Sequence, residues 1–202
     1  MLTALLFICE IKWDAVTALA TVALALLGFV TILYARQQLE AFKRESRAQR
    51  LIDLVDQFER DPMASHRRNL ALGRTSQGVL QPLDRINPPP DLYDVMNFFE
   101  HMGYLLESRY VEIEDISVEF HYWILNVWSD AQGLIKDEQA ENPIYYEHFE
   151  KMVKALLDYD RDITGKLQMP TVLEVEDFYL WEAHLKPGSP LPRQKRRRRS
   201  ST

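Results

Sequence analysis

The chain has 202 residues, 47% apolar and 27% charged, with 24 Lys and Arg against 30 Asp and Glu and a formal net charge of −6. That composition is ordinary for a globular chain and provides one domain with its own core beside an apolar segment near the start. The single cysteine, Cys9, excludes an intramolecular disulfide, and no repeat of fixed period is present.

The charge is unevenly placed. Arg36–Arg50 holds five basic and two acidic residues, Leu51–Pro192 holds 26 acidic against 12 basic, and the last ten residues are again basic. An acidic body between a basic collar and a basic tail argues against nucleic-acid binding by the folded domain, because phosphate contacts need Lys and Arg on its surface.

In chain order, residues 1–12 form a short lead. Its apolar Leu5–Ile8 has no basic stretch ahead of it, and the long apolar run that follows ends in Leu-Tyr-Ala-Arg-Gln-Gln, a poor cleavage site, so a removed secretory signal is not expected. Residues 13–35 are predicted to form a transmembrane helix. The twenty residues Ala15–Tyr34 carry no charge, and at about 1.5 Å per residue they span the roughly 30 Å hydrocarbon core of a bilayer. Trp13 and Tyr34 stand at its ends, where amphipathic rings favour the interface. Arg36, Lys43, Arg44, Arg47 and Arg50 follow it, whereas Lys12 precedes it beside Glu10 and Asp14. Basic flanks stay cytoplasmic, so the N-terminus is expected outside an inner (plasma) membrane and the rest of the chain in the cytoplasm. Thr17, Thr21 and Ala25 recur at intervals of four, near Gly28, a spacing that allows close helix approach and hence a homo-oligomer. An Ala-rich helix facing lipid explains the same residues and is the favoured reading.

Residues 36–186 are read as a stalk helix and a helical domain. No Pro or Gly interrupts Phe29–Asp61, and Leu51, Ile52, Leu54, Val55 and Phe58 form a stripe at helical spacing. Asp61-Pro62 ends that helix. A short helix is predicted over Met63–Leu72, then a Gly- and Pro-rich loop over Gly73–Pro90. Asp91 is expected to cap a helix with Val95, Phe98, Phe99, Met102 and Leu106 on one face, ending near Ser108–Tyr110. A further helix is predicted over Ile113–Ile135 with Ile116, Phe120, Trp123, Ile124, Val127, Trp128, Ala131 and Leu134 inward. Asn142-Pro143 has the form of a cap followed by proline at the first helical position, and is predicted to start a helix with Tyr145, Phe149, Met152, Val153 and Leu156 on its buried face. Gly165 and Pro170 close it, and Glu174–Leu185 forms a last helix anchored by Phe178 and Trp181. With no period-two strand, the expected fold is all-α: one N-terminal transmembrane helix, a small cytosolic helical bundle, and a disordered basic tail over residues 187–202.

Phe98-Phe99-Glu100, Gly103, Leu105-Leu106, Ile113–Asp115, Trp128, Glu141-Asn142-Pro143, Tyr145-Tyr146 and Phe149 together resemble a group of small bacterial membrane proteins. Each has one N-terminal membrane helix and a cytosolic helical domain of unknown function. The resemblance covers roughly Trp13 to Leu157. It implies architecture and a bacterial inner-membrane setting and brings no catalytic residue with it.

No catalytic, cofactor or metal site is read from the residues. Glu100 and His101 are adjacent, hence about 100° apart on a helix, and do not face one another; burial of the two Phe, with the polar groups on the surface or on a helix contact, explains the motif. Gly103 in mid-helix is explained by close approach of another helix. His66, His101, His121, His148 and His184 are scattered, with no Glu-x-x-His or His-Glu-x-x-His. Asp158, Asp160 and Asp162 alternate like a calcium loop, but Ile163 and Met169 stand where that loop needs Gly and Glu, so they are read as solvated acids. Gly73-x-x-x-x-Gly78 is followed by Val79-Leu80 and lacks the lysine of a phosphate loop. Phe98, Phe99, Gly103, Trp123 and Trp128 are assigned to packing.

The tail residues Arg193, Lys195, Arg196, Arg197, Arg198 and Arg199 follow Pro187, Gly188, Pro190 and Pro192. Anionic lipid headgroups, the acidic body and nucleic acid compete as their partner, and tethering near a leaflet ranks lipid first. The expected function is a non-enzymatic, membrane-anchored interaction or regulatory module with a protein partner. The alternatives are a membrane-perturbing oligomeric effector and an enzyme with an unrecognised site.

Overall fold

A computed structural model of the chain describes residues 2–75, 78–166 and 168–184. All regular structure among them is helical: α1 (Leu2–Glu59), α2 (Met63–Arg74), α3 (Pro90–Glu107), α4 (Ile113–Glu141), α5 (Glu147–Thr164) and α6 (Val172–His184). The chain divides into two units, Met1–Ala48 and Gln49–Thr202, and α1 contributes to both. The tail over 187–202, with Arg193, Lys195 and Arg196–Arg199, lies outside the described residues.

In the first unit α1 stands alone. The lead expected before Trp13 is part of the same helix. From Trp13 to Tyr34 the large apolar side chains are all exposed, from 44% at Leu33 to 71% at Leu19, so no face of this stretch is covered by protein. Thr17, Thr21 and Thr31 donate their hydroxyls to the carbonyls of Trp13, Thr17 and Leu27 at 2.9, 2.9 and 2.8 Å.

The second unit has one core, contributed by the end of α1 and by α2–α6. Leu54 and Phe58 enter it, Leu51 and Val55 pack on its edge, and Ile52, expected in the same stripe, is exposed. Around Phe58 the rings of Phe98, Phe99, Phe120 and Trp123 have centroids 5.0 to 5.9 Å away, tilted or edge-on, as ring quadrupoles favour. Helix α2 buries Met63, Arg67, Leu70, Ala71 and Arg74 on one face, an inward stripe that includes two cations.

Several helix boundaries differ from expectation, four of them for a clear local reason. Helix α3 starts at Pro90, after Pro89 in an extended conformation, because proline fits the first helical position. Asp91 therefore does not cap, and its carboxylate lies 2.8 Å from His66 Nδ1. Helix α4 continues six residues past Ile135, since Lys-Asp-Glu-Gln-Ala-Glu are mostly good helix formers with no breaker among them. Asn142 then ends α4 instead of starting α5: the residue before proline is pushed to extended angles, and Asn142 has φ −142° and ψ 105°. The chain turns through Pro143–Tyr146, leaves Tyr145 exposed, and enters α5 from buried Tyr146 in the left-handed region at φ 55°. Gly165 closes α5 at φ 69°. Helix α6 opens two residues early on a capping box: Thr171 N–H donates to Glu174 Oε2 at 2.7 Å and Glu174 N–H to Thr171 Oγ1 at 3.3 Å.

Candidate functional site

The polar chemistry of the second unit starts with the two cations of α2. Seven residues apart, Arg67 and Arg74 project from the same side of the helix into the core, toward α4 and α6. Arg74 makes a forked pair with Asp130 of α4, Nε to Oδ2 at 2.9 Å and Nη2 to Oδ1 at 2.5 Å, and Tyr179 of α6 donates its hydroxyl to the same Oδ2 at 3.0 Å. Both partners are almost fully buried. Burial and the neighbouring Asp130 carboxylate push the Tyr179 phenol well above its ordinary value, so it remains a donor.

Arg67 is held differently. Its Nε lies 3.5 Å from Glu182 Oε1, too long for a good hydrogen bond. Arg67 Nε and Nη1 and Glu182 Oε2 have no protein partner. The guanidinium instead lies over the rings of Phe58 and Trp123, 4.1 and 4.9 Å from their centroids. Burial lowers the Arg67 pKa, and burial, opposed by the Arg67 charge, raises the Glu182 carboxyl to about 7.

An open cleft of about 590 Å³ lies between α4, α5 and α6. His121, Tyr122, Leu125 and Asn126 line it from α4, Asp160 from α5, and Asp177 from α6. His121 Nε2 and Asp160 Oδ2 are in direct contact. Asn126 is 1% exposed; its Nδ2 donates to the Tyr122 carbonyl at 2.6 Å, and its Oδ1 has no partner. Burial, then the charges of Asp177 and Glu174, raise the Tyr122 phenol. Such a cleft has the size of a small-molecule site.

His66, Asp91 and Asp94 form a separate cluster, with Nδ1 2.8 and 3.2 Å from the two carboxylates. Their ligand atoms are close enough to share an ion. Asp91 and Asp94 also lie near the start of α3, where the helix dipole favours anions, and the His66 ring is already hydrogen-bonded to Asp91.

The residues singled out from sequence are placed as follows. Phe98, Phe99, Gly103 and Trp123 are buried, and Trp128 is half-buried against Phe149. Gly103 packs directly on α5: a Cβ there would overlap the carbonyl of His148. Glu100 crosses from α3 to accept the N–H groups of His148 and Phe149 at 3.3 and 2.7 Å, while His101 is exposed. Of the three alternating acids, Asp160 is not merely solvated, since it pairs with His121. Sequence reasoning missed the Arg67–Glu182 and Arg74–Asp130–Tyr179 groups. The one signal for them was the regular α2 spacing of Arg67 and Arg74 beside Leu70 and Ala71, a charge pattern on an otherwise apolar face.

A family model described as "Domain of unknown function (DUF4760)" matches residues 15–156. No curated protein and no solved structure matches the chain.

Proposed function

The chain belongs to the DUF4760 family, and from that premise we propose that it is a membrane-anchored interaction or regulatory module, with no catalysis of its own. The observation that carries this reading is the stretch Ala15–Tyr34, free of charge and exposed on every face. In water that surface costs about 25 cal/mol for each Å² left unburied, and a bilayer removes the cost. The helix holding it is long and apolar enough to cross a membrane. The basic residues from Arg36 to Arg50 put the acidic second unit on the cytoplasmic side of a bacterial inner membrane and the N-terminus outside. The arginine tail then engages anionic headgroups of the same leaflet. A protein partner docks on the helical domain.

The experiment uses the chain's own cysteine. In intact cells, a membrane-impermeant maleimide is expected to label Cys9, and alkaline carbonate is expected to leave the protein in the membrane pellet. Labelling only after lysis would reverse the orientation, and release by carbonate would end the anchor reading. The effector alternative is tested by dye release from vesicles holding the purified protein. It requires Thr17, Thr21 and Ala25 to bring helices together, yet the Thr17 and Thr21 hydroxyls already donate within their own helix. No leakage at any protein density is the expected result; sustained leakage would favour the effector.

A further inference from the structure

We propose that α6 is a pH-sensitive latch on the second unit: it closes on α2 and α4 while the Glu182 carboxyl carries its proton, and it opens, without the rest of the core, as rising pH removes that proton. The inference stands on the buried contact of Glu182 with Arg67 and does not depend on the membrane reading.

Helix α6 is held along one stripe. Val175, Phe178, Tyr179 and Glu182, at the i, i+3, i+4 and i+7 positions, are all buried, whereas Val172 and Leu173 before them are each 73% exposed. Phe178 seats edge-on against Trp123 of α4, with ring centroids 4.5 Å apart. The two polar groups of the stripe are unequal. The Tyr179 hydroxyl donates to Asp130, whose carboxylate Arg74 also holds, so that group is complete. Glu182 is 2% exposed and faces Arg67 across 3.5 Å, and Glu182 Oε2 and Arg67 Nε and Nη1 find no partner in the protein. A buried ion pair recovers the cost of leaving water only where its geometry is good and its remaining hydrogen-bonding atoms are used. This pair meets neither condition. A charged Glu182 therefore opposes closure and a protonated one does not, while release of α6 returns the carboxyl to water, where its charge is solvated.

Among the described residues, Arg67 of α2 is the charge that acts on Glu182 directly. Glu59, at the end of α1, acts on the same guanidinium, and the rings of Phe58 and of Trp123 from α4 lie beneath it. Asp130 of α4 is engaged with Arg74 and Tyr179. Burial outweighs the attraction of Arg67 and holds the Glu182 carboxyl at about 7, while it pushes the Tyr179 phenol upward, away from neutrality. The closed latch thus binds the proton more tightly than the open one, so closure is favoured at low pH and weakens as pH rises through about 7.

The test is hydrogen–deuterium exchange of the full chain in nanodiscs of neutral lipid, from about pH 5 to about pH 8, read as protection factors so that the intrinsic pH dependence of exchange divides out. A released helix of 13 residues is marginal in water, so its amides exchange once the latch opens. The amides of Val175–Ala183 are expected to be about tenfold or more less protected than those of Met152–Leu156 in α5, and to respond little to low urea concentrations that lower protection in α5, as an opening that leaves the rest folded requires. Their protection is expected to fall by up to about tenfold per pH unit between about pH 5 and pH 7 and to level off above that. Glu182→Gln, a neutral side chain of the same shape, is expected to hold α6 protection level across the range. Asp177→Asn, at an exposed acid of the same helix, is expected to keep the pH dependence of the parent. Protection in α6 equal to that in α5, a flat pH profile in the parent, or a dependence that survives Glu182→Gln or is lost with Asp177→Asn would each overturn the proposal; the first two need no variant.

Discussion

Glu100 and Gly103 share one task at the point where α3 meets α5. The first turn of α5 has no side-chain cap of its own, and Glu100 supplies it from the neighbouring helix. Gly103 lets the two backbones approach. Glu100→Ala is expected to destabilise the second unit by about 1 kcal/mol, as loss of a cap does. Gly103→Ala is expected to cost about 1–3 kcal/mol, because the new methyl meets backbone that has little room to move. Urea unfolding followed by circular dichroism measures both, and no change in either midpoint would contradict the assigned contacts.

The two buried arginines behave differently under titration and truncation. The Glu182 carboxyl, raised to about 7, holds its proton in the folded state at pH values where the unfolded chain has lost it. The folded state then binds more protons, so this group's contribution is fully present below the unfolded pKa and is lost as pH rises through about 7. Glu182→Gln is expected to flatten the fall in stability between about pH 4.5 and 7, seen as melting temperatures that depend less on pH than the parent's. Asp130→Ala is expected to cost about 3–5 kcal/mol in urea unfolding, since it leaves the Arg74 charge buried and unpaired and the Tyr179 hydroxyl without an acceptor.

At the scale of elements, the helices were legible wherever apolar residues recur at three and four, as in the stripes through Phe98–Met102 and Ile116–Leu134. Their ends were legible only where a single residue dominates, as Gly165 does at the end of α5. Asn142-Pro143 satisfies two rules at once, a start signal and a stop signal, and the extended angle forced on Asn142 decided for the stop. The cleft and the buried ion pairs join residues 39 to 115 positions apart in the chain, and no local pattern encodes such pairings. The element most legible of all is Ala15–Tyr34, and its composition makes a sharp prediction. Leu24→Lys, at the middle of the run, is expected to impair membrane insertion by about 2.5–3.5 kcal/mol, read as protein released from the membrane fraction by carbonate.

At the scale of the whole molecule, charge is sorted along the chain: basic beside the apolar run, acidic through the domain, basic at the end. Each Lys or Arg near an anionic leaflet contributes about 1 kcal/mol, so under the proposed lipid contact six of them in the tail would give a strong but salt-sensitive attachment. Deleting Arg193–Thr202 is expected to reduce co-sedimentation of the domain with anionic vesicles at low salt and to have little effect with neutral ones. Binding that survives the deletion unchanged would assign the tail to the acidic body or to another polyanion.

The cap that Glu100 lends to α5 also bears on how the domain assembles. A helix whose first amides are satisfied by another helix cannot reach full stability until the two have docked, so the start of α5 and the middle of α3 form and fray together. An isolated peptide over residues 142–166 should be less helical at its start than its composition suggests. In the intact protein, the amides of His148 and Phe149 should exchange with solvent deuterium only when α3 and α5 separate, which makes two backbone protons a direct gauge of that separation.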